Sequence, residues 1–500
     1  MMLEQYKVVF AHLDTAISVS ILSEETGRRY DIAIPDVSGP TKLLLQDVKD
    51  ELIGAARLPT IVATNVHEQE EVQRTVGALV DKSLKQHVPS VPPETRKLLV
   101  LYVVNEMTGL GDIEYLMQDP NLEEIVVPAA REAVMVFHKK HGWLTTNLRI
   151  ASEEQVQNYA AIIARKVGRD VSVLHPILDA RLTTGDRANA VLYPIANKGN
   201  TLTIRKFARD PWTFVDFIKN GTCTAKVFAL LWIAIQYEMN VLFSGGTASG
   251  KTSMLNVCMP FVPPNQRLIS IEDTRELQLP TYLFWEPLVT RIANPEGKGE
   301  VNMLDLLVTS LRMRPDRIIL GEVRRGDHAT VLFEAMHTGH SVYATVHADN
   351  AQETINRLVN PPISIPANLL EAVHINVVMF RDRRKGLRRV FQVAEFVSEN
   401  DAGVQRVKPN LLYRYTAAED AIVKHGESMS IMEKLCQHLG CTLKEIQKEL
   451  VEREAIITWL AKRDFSGVDR IATIMQVYYA TPQRVVDAAT KDLDPNEFAR

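Results

Sequence analysis

Asn240-Val241-Leu242-Phe243-Ser244-Gly245-Gly246-Thr247-Ala248-Ser249-Gly250-Lys251-Thr252 is the stretch on which the reading of the fold turns. Asn240–Phe243 is a short apolar run of buried-strand character, and Thr252–Met259 carries helical spacing. Between them, Gly245–Thr252 fits G-x-x-x-x-G-K-[ST] at every fixed position. Strand, glycine-rich loop and helix in that order make a phosphate cradle. The glycines let the backbone curl so that its N–H groups point inward, and the helix N-terminus adds a favourable dipole. In such a cradle Lys251 reaches the β- and γ-phosphates and the Thr252 hydroxyl ligates Mg²⁺.

Working outward, Val227–Gln236 reads as a helix, and Leu268–Ile271, Arg317–Leu320 and Val342–Val346 as further short apolar strands separated by helical segments. Strands alternating with helices imply an α/β core with a largely parallel central sheet. Ile375–Phe380 and Val390–Phe396 flank a charged turn and read as a hairpin. From Ala417 the chain is charged and helix-rich, with helical spacing over Ile431–Leu439, Leu443–Arg463 and Ile471–Tyr479.

The amino-terminal half has a different texture. Tyr6–Phe10 alternates, Pro89–Pro93 reads as a linker, and helical spacing begins at Glu94. Strands are expected near Glu124–Val127 and Val134–His138, a helix from Ser152, and β structure over Leu178–Phe207 with turns at Thr184-Gly185 and Gly199. Asp210-Pro211 and Asn220-Gly221 mark the main domain boundary.

Five hundred residues exceed what one hydrophobic core holds, so two or three domains are expected. A net charge of −4 gives no reason to expect a nucleic-acid binder, and none is expected as a partner. The four cysteines, Cys223, Cys258, Cys436 and Cys441, form no C-x-x-C pair of a zinc module and suit a reducing compartment. Cys436 and Cys441 are near enough in sequence to raise a disulfide, against which stands the reading as two helical thiols. There is no basic-then-apolar signal pattern, and the longest apolar stretch, Ala229–Ile235, is too short to cross a bilayer. The expectation is a cytoplasmic protein that reaches a membrane only through a partner.

Hydrolysis of a nucleotide needs a held metal and an aligned water as well as a cradle. Arg317–Leu320 is an apolar strand followed by Gly321 and Glu322. Many enzymes with this loop carry Asp where Gly321 stands, so Glu322 is the lone candidate to orient water; otherwise it is a solvated acid at a strand end. The acids of Glu272-Asp273-Thr274-Arg275-Glu276 follow another strand and either hold Mg²⁺ through water or form a salt-bridged loop with Arg275. His337, His340 and His347 invite a metal, but no cysteine stands nearby. A γ-phosphate contact by His347 and a buried, hydrogen-bonded histidine are the other readings.

Taken in order, the glycine loop, SIEDTREL (Ser270–Leu277), RPDRIILGEVR (Arg314–Arg324) and GHSVYATVHAD (Gly339–Asp349) resemble the Walker A, Asp box, Walker B and His box of the secretion ATPase superfamily. That family holds the type II and type IV secretion motors, the type IV pilus motors and the archaellum motor. The resemblance extends upstream through Pro176–Pro194 and Leu202–Phe214 and downstream through Pro362–Val378, covering roughly residues 122–396. It implies an α/β fold with a RecA-like P-loop ATPase core, a mixed α/β N-terminal domain and a helical C-terminal tail. The expected divisions are 1–90 (variable, partner-docking), 91–207 (arginine-bearing α/β domain), 208–224 (linker), 225–416 (ATPase domain) and 417–500 (helical).

Carried over by position, the resemblance assigns Gly245, Gly246, Thr247, Ala248, Ser249, Gly250, Lys251, Thr252, Glu272, Glu276 and His340 to nucleotide binding. It gives Thr252 and Glu272 to Mg²⁺ and Glu322 to catalysis, and it places Gly339, His340 and His347 in the His box. It brings Arg181, Arg187 or Arg205 to ATP from the N-terminal domain, a task that suits a permanently charged, bidentate guanidinium. It further implies a homo-hexamer that closes around ATP, driving a polytopic membrane platform protein and filament assembly components from the inner face of the membrane. The sequence departs from the family pattern at Arg324-Arg325-Gly326-Asp327-His328. It also lacks the tetracysteine zinc module of bacterial pilus-extension motors, which makes it look most like the archaeal branch. Retraction or export by the same class of motor, and a RecA-like nucleic-acid motor supported by the basic run Arg381–Arg389, are the rival readings.

Overall fold

The computed structural model describes residues 1–25, 27–35, 37–54, 66–182, 184–207, 211–293, 297–401 and 404–498. The chain divides into two units, Met1–Arg209 and Asp210–Arg500.

In the first unit, β1 (Met2–Phe10), β2 (Thr15–Glu24) and β3 (Gly27–Ile32) form a meander. Helices α1 (Gly39–Gly54), α2 (Val66–His87) and α3 (Pro93–Thr108) close on one another around Val48, Val80, Leu84 and Val103. After α4 (Ile113–Met117) come β4 (Leu122–Val127), β5 (Ala133–His138) and β6 (Gly142–Arg149). Helix α5 (Glu153–Lys166) starts where the Ser152 hydroxyl accepts from the Gln155 amide at 3.2 Å, an N-cap. The strands β7 (Ile177–Arg181), β8 (Arg187–Val191) and β9 (Thr201–Arg205) complete a sheet of order β1-β2-β3-β6-β5-β4-β9-β8-β7. Residues 1–90, set apart in the sequence, thus supply three strands of the same sheet, with β3 running parallel to β6.

The second unit opens with α6 (Phe214–Lys219), capped by a reciprocal Thr213–Asp216 box. Phe214 stacks on Phe261 at 5.5 Å, so the segment expected as a linker is core structure from Phe214; its first residues, 208–210, lie outside the described residues. Then follow α7 (Ala225–Gln236), β10 (Val241–Gly245), α8 (Lys251–Cys258), β11 (Arg267–Glu272) and β12 (Phe284–Val289). Next are α9 (Met303–Ser310), β13 (Arg317–Leu320), α10 (Gly326–His337), β14 (Ser341–Val346) and α11 (Ala351–Val359). The remaining strands are β15 (Ile375–Asp382), β16 (Leu387–Asp401), β17 (Val404–Thr416) and β18 (Ala421–Lys424).

The sheet order is β12-β11-β13-β14-β10-β15-β16-β17-β18. From β12 to β15 every pairing is parallel, and β16–β18 continue antiparallel. Strands β10, β13 and β14 are buried at every position, as a parallel sheet covered on both faces requires. A loop-bearing strand inside such a sheet is the RecA-like arrangement. The helical tail, expected from 417, starts later because β18 still belongs to the sheet: α12 (Ile431–Leu439), α13 (Leu443–Lys462), α14 (Val468–Ala480) and α15 (Pro482–Thr490). All four cysteines are free; Cys436 lies in α12 and Cys441 just past it.

Two buried arginines tie the tail to the sheet. Arg453 of α13 is paired with Glu449 at 2.9 Å, donates to Gln236 Oε1 at 2.8 Å and faces the Trp232 and Tyr478 rings. Arg317, at the start of β13, donates to Gln266 Oε1, the Tyr343 hydroxyl and the Gln236 carbonyl. Burial pulls its pKa down to about 10, which leaves it charged at neutral pH.

Helix α12 takes its cap from the sheet. The fully buried Glu395 of β16 accepts from the amides of Met429, Ser430 (3.1 Å) and Ile431 (3.0 Å), and from Asn410 Nδ2 (2.7 Å) and Ser428 Oγ (3.0 Å). Burial alone raises a carboxyl pKa, but these donors outweigh it and hold Glu395 below its ordinary value of 4.5. Glu395→Ala leaves several buried donors unmet and lowers stability by about 3 kcal/mol. Because the folded-state pKa is depressed, the carboxylate's contribution is complete above the ordinary value and fades as pH falls through the folded one. The urea-midpoint gap between wild type and Glu395→Gln is therefore full at pH 7 and narrows below about pH 4.5.

Candidate active site

In an open parallel sheet, ligands bind outside the carboxyl ends of the strands. Four expected motifs meet there side by side: Gly245 closing β10, Glu272 closing β11, Glu322 beyond β13 and His347 beyond β14. The loop after β10 has a conformation that its glycines permit. Gly245 (φ 148°) has no room for a side chain, since a Cβ there stands 2.5 Å from both the Met379 carbonyl and Ser249 Oγ. Gly250 (φ 97°) turns the chain into α8. Beneath the loop, the wholly buried Ser244 hydroxyl is met by Thr354 Oγ1 at 2.9 Å and Asn376 Nδ2 at 2.7 Å. Lys251 lies folded against the loop, its Nζ donating to the carbonyls of Gly245 (2.9 Å) and Gly246 (3.0 Å). Burial lowers its pKa, opposed by Glu322, Glu276 and Asp349.

Glu322 sits in a charged network. Its Oε2 accepts from Arg324 Nε (2.9 Å) and Nη2 (2.7 Å), and its Oε1 is 3.4 Å from His347 Nε2. Arg324 Nη1 reaches on to Asp273 Oδ2 at 3.0 Å. Behind them Thr345 Oγ1 donates to the Gly321 carbonyl at 2.6 Å. Asp273 thus pairs with Arg324, whereas Arg275, read as the salt-bridge partner within this acidic loop, lies over the Trp285 ring at 4.6 Å. Glu272 is buried, and its Oε1 accepts from the amides of Glu276 (2.8 Å) and Leu277 (3.2 Å), shaping the loop after β11. Thr252 is half-buried in the first turn of α8, where the helix presents unpaired N–H groups. One hydroxyl and carboxylates acting through water suit Mg²⁺, which keeps most of its waters and takes oxygens from phosphate. Among the described residues no three His, Cys, Asp or Glu group to hold a metal.

The two His-box histidines part company. His347 joins Glu322 and Lys251, and burial, then Lys251, holds its pKa below 6.5. His340 precedes β14, at the sheet's amino edge, where its Nδ1 lies 3.2 Å from Thr338 Oγ1. Six residues of strand, roughly 20 Å, separate the two. The structure therefore does not bring His340 and Gly339 together with the glycine loop of this chain.

In the first unit, Arg181, Arg187 and Arg205 stand on one rung of the sheet, paired Arg181↔Arg187 and Arg187↔Arg205, with Glu124 beyond Arg205. Arg187 grips Asp179 through Nε (3.1 Å) and Nη2 (2.7 Å). The sequence lists these arginines without their adjacency, which comes from strand pairing. The basic run of the second unit is divided. Arg389 is buried on Asp420, whose carboxyl it holds down to about 2, and Arg388 Nε donates to the Ala248 carbonyl in the glycine loop at 3.2 Å. Arg383, Arg384 and Lys385 stay exposed in the hairpin turn. Sequence reasoning missed Arg388 and Arg324 as neighbours of the site, because each reaches it across the sheet or backwards along its own loop.

Residues 106–424 match the family described as type II/IV secretion system protein. The chain is similar to the uncharacterized protein MJ0900 of Methanocaldococcus jannaschii, with 34% identity over 431 residues covering 84% of this chain and 75% of that protein. It is also similar to the type IV secretion system protein PtlH of Bordetella pertussis, 30% identical over 288 residues, 51% of this chain and 84% of PtlH. Among solved structures, the VirB11 ATPase of the Brucella suis type IV secretion system is 25% identical, with 57% of this chain and 92% of that one covered at a TM-score of 0.29.

The charges around His347 fix how it titrates. Its NMR midpoint lies below 6.5; Lys251→Ala, removing a cation, moves it up, and Glu322→Gln, removing an anion, moves it further down. A midpoint indifferent to both substitutions contradicts this arrangement.

Proposed function

This chain belongs to the type II/IV secretion system protein family, and we propose that it is a Mg²⁺-dependent ATPase whose turnover drives a secretion or filament-assembly machine. The observation that carries this reading is the convergence of Lys251, Glu322 and His347 on one end of the parallel sheet beside a glycine loop that no side chain at Gly245 allows. Lys251 exchanges its two carbonyl partners for phosphate oxygens, and loop amides with the start of α8 supply the remaining donors. Thr252, with Glu272 through water, would hold Mg²⁺, which supplies charge neutralisation at the phosphates. Glu322 orients water for in-line attack, and neutral His347 donates toward the γ-phosphate. The rung of Arg181, Arg187 and Arg205 contributes guanidinium groups to the phosphates, where a bidentate cation is worth most.

No helix among the described residues is long and apolar enough to cross a membrane. We infer that the protein acts as a homo-hexamer from the cytoplasmic side, through a polytopic platform protein, on an archaellum- or pilus-like filament. The match to MJ0900 over 84% of the chain supports the archaeal form of this reading.

Lys251→Ala abolishes turnover and weakens ATP binding. Glu322→Gln still binds ATP while kcat falls by at least about 100-fold, the scale of a lost water-orienting base. Full steady-state hydrolysis by Glu322→Gln removes that residue from the chemistry. Alanine at each arginine of the rung in turn, assayed for kcat, identifies the phosphate contact as the one costing about 100-fold or more. Light scattering with Mg²⁺ and a non-hydrolysable ATP analogue gives the mass of a hexamer; a monomer throughout contradicts the assembly.

A further inference from the structure

We propose that Arg324 is a latch on Glu322: in the nucleotide-free protein it occupies the carboxylate, and the phosphates of incoming ATP draw it away. The inference rests on the ATPase reading above and concerns when, rather than whether, Glu322 is available to water.

Four contacts carry it. Glu322 Oε2 takes two N–H groups of Arg324, at 2.9 and 2.7 Å, and Oε1 faces His347 Nε2 at 3.4 Å. Oε2 is therefore held twice by the guanidinium, while Oε1 stands beside His347, so the arginine occupies one of the two carboxylate oxygens that could align a water. The Glu322 side chain is 18% exposed and that of Arg324 is 60% exposed, so the arginine is the solvent-facing member of the pair. Its Nη1 already holds Asp273 Oδ2 at 3.0 Å. Asp273 gives the guanidinium an anchor on release, so letting go of Glu322 does not strand a cation. Lys251 is engaged in the same manner, with its ammonium on the loop's own carbonyls.

A triphosphate changes the balance. Guanidinium pairs bidentately with phosphate oxygens at least as well as with a carboxylate, and the γ-phosphate brings more charge than Glu322. Moving Arg324 onto a phosphate oxygen, with Nη1 kept on Asp273, unblocks Glu322 when there is a bond to cleave. ADP lacks the γ-phosphate and leaves the latch closed. Arg324 is thus a positioning residue toward Glu322 and a phosphate contact once displaced.

The test is a double-mutant cycle in binding, which needs no turnover. Affinities of the full-length protein for Mg²⁺ with a non-hydrolysable ATP analogue, and with ADP, are measured for wild type, Glu322→Gln, Arg324→Ala and the double variant. Thermal unfolding of each, without nucleotide, verifies the fold. Glu322→Gln weakens the latch and tightens the analogue by about 5-fold, the scale of turning a charge-assisted hydrogen bond into a neutral one. In the Arg324→Ala background the same change yields less than about 2-fold, and neither background alters ADP as much. Arg324→Lys keeps the charge but loses the fork, and its gain falls between the two. A gain in the Arg324→Ala background equal to or larger than in wild type overturns the latch, since loss of charge repulsion alone then explains it. Wild type that binds the analogue without hydrolysing ATP overturns the ATPase reading instead, while the cycle still reports on the latch.

Discussion

The hydroxyl of Ser244 holds the second unit to its chemistry. It stands next to last in β10 at full burial, met from one side by Thr354 of α11 and from the other by Asn376 of β15. A buried hydroxyl left unmet costs about 1–3 kcal/mol, so this rung of the strand is fixed between its neighbours. Gly245 then ends the strand beside Met379 of β15, with a backbone conformation and a clearance that exclude any side chain, and the chain leaves the sheet after it. Everything at the carboxyl edge is positioned by reference to that departure. Ser244 lies level with Val346, one residue before His347, and β13 lies beside β14 with Leu320 level with Ala344, two residues before Glu322.

The charges gathered there would repel or unbind one another were they not answered internally. Lys251 is met by loop carbonyls, Glu322 by Arg324 and His347, and Glu272 by two backbone amides of its own loop. The proposed phosphate site thus exists, without ligand, as a set of pairs rather than as bare charge. The cost of exchanging partners is smaller than that of desolvating isolated ions.

The core of this arrangement was legible in the sequence where local chemistry dictates it. The glycine loop, the strands at Arg317–Leu320 and Val342–Val346 and the hairpin after Ile375 each announce themselves through composition or spacing. What escaped depends on partners distant along the chain. Strand β12 contains Pro287, which hides its strand character, and is tolerated because β12 lies at the sheet's edge, where a missing N–H costs little. Pro409 disguises β17 in the same way. Helix α6 is too short to show a period, and only its burial against Phe228 and Phe261 distinguishes it from a linker. His340 and His347 read as one motif in one dimension, yet a single strand between them sends them to opposite edges. Arg388 and Arg389 read as a charged turn, but pairing of β15 with β16 brings one to the glycine loop and the other to Asp420.

Strand β13 is only four residues long, about 13 Å. Arg317 at its start is bound to Gln236, the residue that Arg453 of the tail also holds, and Glu322 follows its end. The strand is buried at each residue and hydrogen-bonded on both sides, so it resists bending on its own. It is a short strut with the helical tail pinned to one end and a carboxylate mounted at the other, and the play between them is limited to the elasticity of four peptide units.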